Sequence, residues 1–165
     1  MLDMPAVIFY EVVLAVHIMA VIVAFGVTFA YPIMFSLAAR LDPLSLPVLH
    51  RIEYSIEQRL TNPGLVVVLA AGIYLASKLH VWSAFYVQWG LASVVVIGGV
   101  IGAVMIPTAK RAATLAERDL AASNEDPVGF SDEYRALTRR LATVGTLLSL
   151  LVLVTVYFMA THTGA

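Results

Sequence analysis

The chain has 165 residues, of which 61% are hydrophobic and 13% charged, whereas charged residues make up about 25% of an ordinary soluble domain. Lipid is therefore the expected solvent, and because a spanning helix needs about 20 apolar residues, the length holds four spans and no large soluble domain. A net charge of −1 gives no support for nucleic-acid binding, and the lack of cysteine excludes disulfides, thiolate metal sites, iron–sulfur clusters and Cys-x-x-Cys redox chemistry.

The N-terminal Met1-Leu2-Asp3-Met4-Pro5 lacks the basic region of a cleaved signal peptide, so the first apolar run is expected to be a permanent helix. That run covers residues 6–39, interrupted only by Glu11 and His17. It is longer than a bilayer requires and should tilt or project. In the loop that follows, Ser45 can cap a helix with Leu49, Ile52, Ile56 and Leu60 on one face, while Arg51, Glu57 and Gln58 lie on others. This pattern predicts an interfacial helix.

The second span is expected over 63–79, opening at Asn62-Pro63-Gly64, where a first-turn proline costs no backbone hydrogen bond. A few residues separate it from the third, 84–106, so the two should form an antiparallel hairpin. Residues 109–120 continue helically beyond Pro107, Asn124-Glu125-Asp126-Pro127 breaks the helix, and Ser131 ahead of Asp132 and Glu133 starts one that runs into the fourth span, 141–160. The expected fold class is all-α: a polytopic membrane protein, a single membrane domain over 1–165, forming a four-transmembrane-helix bundle with a cytoplasmic interfacial helix.

Nine of the ten basic residues fall in the two long loops, Lys78 being the exception. Basic residues near span ends are retained in the cytoplasm. The expected orientation in the cell membrane therefore places both long loops inside and both termini outside.

An ionisable side chain within a span is costly and usually faces the bundle interior, which singles out His17. Tyr10, Ala20, Ala24, Thr28 and Tyr31 lie within about 60° of it on the helix, with Val13, Leu14 and Val21, a mixture that a helix–helix contact can use. Ala15, Gly26 and Ala30 form a second small stripe opposite. His17 is read either as an interhelical hydrogen-bonding group or as a haem or metal ligand. Glu11, about 120° away, is read as reaching toward the interface.

His80 and His162 follow the second and fourth spans, at the expected outer surface. Met159 and His162 are three apart, close enough to face together, so His80, Met159 and His162 form a candidate Cu(I) ligand set without cysteine. His17 should lie roughly 10 to 16 Å below that surface at about 1.5 Å per residue. This depth argues against a haem clamped between His17 and either outer histidine.

Phe85, Tyr86, Trp82 and Trp89 have the placement of an aromatic belt. Gly98-x-x-x-Gly102 with Gly99 and Ala103, and Gly72 with Ala76, let another backbone approach. Such faces could also receive a second copy or another membrane protein. No Walker motif, nucleophile elbow or His-Glu-x-x-His pattern occurs, so hydrolytic and phosphoryl-transfer chemistry lacks a carrier.

Residues 17–26, Thr61-Asn62-Pro63-Gly64 with Gly72 ten residues beyond Asn62, and Met159-Ala160-Thr161-His162 together resemble the predicted membrane family catalogued as domain of unknown function 2269. That family name supplies no activity. The helix-one histidine and the Pro-Gly pair also resemble the four-helix membrane protoporphyrinogen oxidases and the copper-resistance protein D group, which implies haem or porphyrin handling and copper handling respectively. Where the oxidases carry His-x-Lys at the start of the third helix, this chain reads Tyr86-Val87-Gln88, so the enzymatic activity is not carried over. The family ending resembles Met-x-x-Lys-Pro, and here His162 takes the basic position. The expectation is a non-enzymatic membrane protein in contact with the lipid bilayer, the alternatives being a haem-binding redox protein using His17 and copper handling at the outer face.

Overall fold

A computed structural model describes residues 4–122 and 129–162. Among the described residues seven α-helices follow one another: α1 (Met4–Phe25), α2 (Tyr31–Leu41), α3 (Leu46–Ile56), α4 (Asn62–Leu79), α5 (Phe85–Val100), α6 (Ile106–Ala122) and α7 (Asp132–Thr161). Joined end to end they make four helical stretches long and apolar enough to cross a membrane, Ile8–Leu41, Pro43–Leu79, Phe85–Ala122 and Asp132–Thr161. Large apolar side chains stay exposed along α1 and α7, among them Ile8, Phe9, Ile18, Ile22, Leu147, Leu153 and Val156. Water would not tolerate a patch of that extent on a monomer, and lipid does. The protein is a multi-pass membrane protein.

The first arm is not the continuous helix expected over 6–39. A 3-10 turn, Gly26–Phe29, separates α1 from α2, with Ala30 N–H donating to Val27 at 2.9 Å and Thr28 Oγ1 donating to the Phe25 carbonyl at 2.7 Å. Gly26 lowers the helical propensity there. Pro32 in the first turn of α2 would collide with the Thr28 carbonyl if the α-helix ran on.

The second stretch does not begin at Asn62-Pro63-Gly64. The chain is already helical from Leu46 and passes through a π-helical turn, Glu57–Thr61, in which Asn62 N–H reaches the Glu57 carbonyl five residues back. The third stretch repeats the device: Ile101–Met105 is π-helical and Ile106 N–H reaches Ile101. Both turns end two residues before a proline, Pro63 and Pro107. A widened turn accommodates the pyrrolidine ring, which cannot donate and clashes with the carbonyl four residues back.

Beyond these turns, α3, α6 and the first turns of α7 pack into a compact end. Ala109, Ala112 and Ala116 of α6 are wholly buried, so their small side chains bring α6 close to α3. Arg51–Glu117 and Arg111–Glu133 pair across the surface. Ser131 caps α7 as expected, accepting from Tyr134 N–H at 3.3 Å while its hydroxyl donates to Asp119 at 2.6 Å. Ser45, expected to cap α3, makes no such bond; its hydroxyl donates to the Asp42 carbonyl at 2.7 Å. The expected break at 124–127 lies outside the described residues.

Close helix approach occurs at positions other than the expected pair. A Cβ on Gly64 would sit 2.8 Å from that of Ala24, and one on Gly72 would lie 3.3 Å from His17 Cε1. At Gly72 it is the His17 ring, rather than a neighbouring backbone, that takes the space, and Ala76 is buried. Gly98 faces Leu65, whereas Gly102 and Gly99 have open space where a Cβ would go. Ile97, Ile101 and Met105 take the interior row of that helix, which leaves Gly102 and Ala103 exposed beside it.

Candidate functional site

The helix α1 packs on α4, α4 on α5 and α5 on α7, while α7 meets the first arm chiefly at the Gly26–Phe29 turn. The gap left between α2 and α7 is a cavity of about 650 Å³. Its walls are mostly apolar, with Phe25, Phe35, Ile97, Ile101, Leu148 and Val152 among them. Exposed Pro32, Ser36, Ala142 and Thr146 flank the mouth. Arg135 and Arg139, also exposed, line the wall formed by the start of α7.

One wall is polar. His50, Glu53, Glu57 and Thr61 recur at helical spacing and form a single inward face of α3 and its π-turn, with exposures of 1%, 3%, 3% and 0%. On the expected apolar face, Ile52 and Leu60 are exposed, and Leu49 and Ile56 are half-buried. An interfacial helix can place its apolar side in lipid and its polar side against protein.

Most of this polar stripe is satisfied internally. His50 Nδ1 lies 3.1 Å from Glu53 Oε2, and His50 Nε2 lies 3.2 Å from the Tyr134 hydroxyl. A neutral imidazole meets both contacts when Nδ1–H donates to Glu53 and Tyr134 donates to Nε2. Thr61 Oγ1 donates to the Ala24 carbonyl at 3.2 Å. Glu57 Oε2 of the stripe and the Tyr31 hydroxyl of α2 are buried and have no hydrogen-bond partner among the described residues. Both residues line the cavity.

His17 is half-buried, and its Nδ1 lies 3.0 Å from the Val68 carbonyl of α4. A carbonyl only accepts, so Nδ1 carries the proton and Nε2 keeps its lone pair. The expected neighbours Ala24 and Tyr31 are buried, Tyr10, Ala20 and Thr28 are half-buried, and Glu11 is exposed. His17 does not line the cavity.

At the opposite end, His80 and His162 each follow a helix in the left-handed conformation, with φ of 57° and 49°. They occupy the position glycine commonly takes after a helix. Val81 N–H closes the first of these caps on the Ala76 carbonyl at 3.2 Å. The His162 ring stands edge-on to Tyr86, centroids 5.3 Å apart, while the Met159 methyl lies over Gly90. Among the described residues no three His, Cys, Asp or Glu side chains converge as a metal site would require. Trp89 donates to Thr155 Oγ1 at 3.1 Å and packs edge-on against Phe158, tying α5 to α7.

The model of the family described as "Predicted integral membrane protein (DUF2269)" matches residues 11–163. The chain belongs to this family. Neither the curated proteins nor the solved structures contain a match. The DUF2269 match spans α1 to α7 and so takes in both the cavity wall on α3 and the His17 contact. The polar stripe was open to sequence reasoning through the spacing of His50, Glu53, Glu57 and Thr61, but the flanking leucines and isoleucines drew the reading to the other face.

Proposed function

We propose that this DUF2269 protein is a non-enzymatic membrane protein that holds a small amphiphilic molecule between α2 and α7. The carrying observation is the 650 Å³ cavity, whose apolar walls and single polar side are the usual composition of a small-molecule site. Its mouth is flanked by residues of the first and fourth spanning stretches, so a ligand dissolved in the bilayer reaches it without crossing water. The concentration of basic residues in the two long loops supports a reading in which this end of the bundle faces the cytoplasm and the termini lie outside. Open space at Gly99 and Gly102 leaves that side of α5 for lipid or a second copy.

Photolabelling with a lipophilic diazirine in lipid nanodiscs tests the reading. Labels should concentrate on α2, α3 and α7 and fall sharply in Gly145→Phe, because position 145 faces the cavity with only Met105 Cε, 3.8 Å away, near an added Cβ. Labelling spread evenly over the exposed face of α1 and unaffected by the substitution would refute it.

A second reading, haem binding, is supported by the His17 Nδ1 contact with Val68. A backbone carbonyl commonly orients a metal-ligating imidazole in this way. Because His17 does not line the cavity, a porphyrin on Nε2 would sit elsewhere. Purified protein with no Soret band after haem addition would exclude it. Copper at His80, Met159 and His162 draws support only from the closeness of Met159 and His162 along α7, and elemental analysis after copper exposure decides it.

A further inference from the structure

The cavity holds two buried polar atoms without a hydrogen-bond partner among the described residues, Glu57 Oε2 and the Tyr31 hydroxyl. Burying a polar group without a partner is costly, and burying a carboxylate oxygen especially so. The neighbouring groups do not relieve this cost: His50 is committed to Glu53 and Tyr134, and Thr61 to Ala24. Glu57 is 3% exposed and Tyr31 8% exposed, and they reach the same space from α2 and from the π-turn after α3. The Glu53 carboxyl lies one helical turn before Glu57, so among the described residues this wall carries two acidic groups, no lysine or arginine, and one imidazole, His50, already held by Glu53 and Tyr134. The basic residues of the cavity, Arg135 and Arg139, stand on α7 at exposed positions where water and lipid phosphates compete for them.

We propose that Glu57 and Tyr31 form the head-group site of the cavity and that its ligand is an organic ammonium ion with an apolar body. This rests on the reading of the cavity as a binding site. The ammonium donates to Glu57 Oε2 and to the phenolic oxygen of Tyr31, while the hydrocarbon lies along Phe35, Ile101 and Leu148. A charge-assisted bond in this buried setting is stronger than a neutral one, and it supplies both orphaned atoms at once.

The test compares octylammonium, octan-1-ol and octanoate, which share a chain and differ in the head, binding to the full chain in phosphatidylcholine nanodiscs, with empty discs subtracted. Octylammonium should bind at least tenfold more tightly than octanol. Glu57→Gln should abolish the preference for octylammonium over octanol, and Tyr31→Phe should lower octylammonium affinity several-fold with the bundle intact. If octanol and octylammonium bind equally to the unaltered protein, the head-group site is wrong while the cavity reading stands. Preference for octanoate would also overturn the proposal and point to Arg135 and Arg139. If none of the three binds above empty discs, the cavity reading itself fails. Should Glu57→Gln not fold, Tyr31→Phe alone decides: unchanged octylammonium affinity refutes the site.

Discussion

The Nδ1–H of His17 on α1 donates to the main-chain carbonyl of Val68 on α4 across 3.0 Å, and the ring rests against Gly72 one turn further along. The contact joins two helices through one polar group and one missing side chain. His17→Ala should therefore lower stability in detergent by about 1 kcal/mol, the usual worth of such a bond within a membrane. His17→Gln should recover part of it, since an amide can still donate. Thermal unfolding of both variants checks this, and an alanine variant as stable as the parent would show that the bond contributes nothing.

The glycines of the spans should differ sharply in tolerance. Gly64→Ala forces a Cβ to 2.8 Å from that of Ala24, with the Thr61–Ala24 hydrogen bond beside it, and should cost about 1–3 kcal/mol as overpacking. Gly102→Ala meets nothing within 4 Å and should change stability by less than about 0.5 kcal/mol. Equal effects at the two positions would contradict the packing of α1 on α4.

His80 has φ of 57°, a conformation glycine adopts without strain. His80→Gly should leave the fold intact and raise stability by roughly 0.5–1 kcal/mol. Copper uptake measured on the same variant separates a cap from a ligand: a parent that binds copper and a variant that does not would assign His80 a chemical role beyond closing α4.

At the loop-bearing end, Asp119 accepts from Ser131 N–H at 2.9 Å and from its hydroxyl at 2.6 Å, which holds the start of α7 against α6. Asp119→Ala leaves the capping residue without its acceptor and should cost about 1–3 kcal/mol. Glu117→Ala removes only an exposed pair with Arg51 and should cost less than about 1 kcal/mol. Urea or thermal denaturation of the two variants provides the comparison, and a larger loss at Glu117 would reverse the ranking.

The orientation is open to reporter fusions. Fusions after Leu120 should report the cytoplasm and fusions after Ala165 the outside, since nine of the ten basic residues lie in the two long loops. The reverse result at both points would invert the molecule and put the cavity at the outer leaflet.

The four apolar runs, the helical course past Pro107 and the Ser131 cap were legible because each depends on local chemistry: hydrophobic length, a missing N–H, a hydroxyl ahead of two acids. His17 was legible for a related reason, since an imidazole among aliphatic groups must find a partner, and a carbonyl on the second spanning stretch supplies it. The cavity was not. It arises where α2 and α7 pack only sparsely, and no residue pattern records a loose fit. The inward face of α3 stayed hidden because the apolar row Leu49, Ile52, Ile56 and Leu60 speaks for a helix at the interface without saying what its opposite side meets; Ile52 and Leu60 face out and His50 and Glu53 in. Of Gly98-x-x-x-Gly102, Gly98 meets Leu65 while Gly102 meets nothing within 4 Å, because a row of small residues permits close approach without stating from which side a neighbour comes.

The paired π-turns before Pro63 and Pro107 act as phase couplings between the two ends of the molecule. Buried residues follow one another at steps of four across each turn, Glu53, Glu57, Thr61 and Leu65 in one stretch and Ile97, Ile101, Met105 and Ala109 in the other. An unbroken α-helix at 3.6 residues per turn would let such a row drift around its axis, whereas the widened turn cancels the drift and keeps one seam running from membrane to loop end. Winding either π-turn as ordinary α-helix with the same number of residues would rotate one half of the stretch against the other by about 100°. In the Pro43–Leu79 stretch, that rotation would swing His50, Glu53 and Glu57 away from the cavity while leaving Val68 and Gly72 against His17.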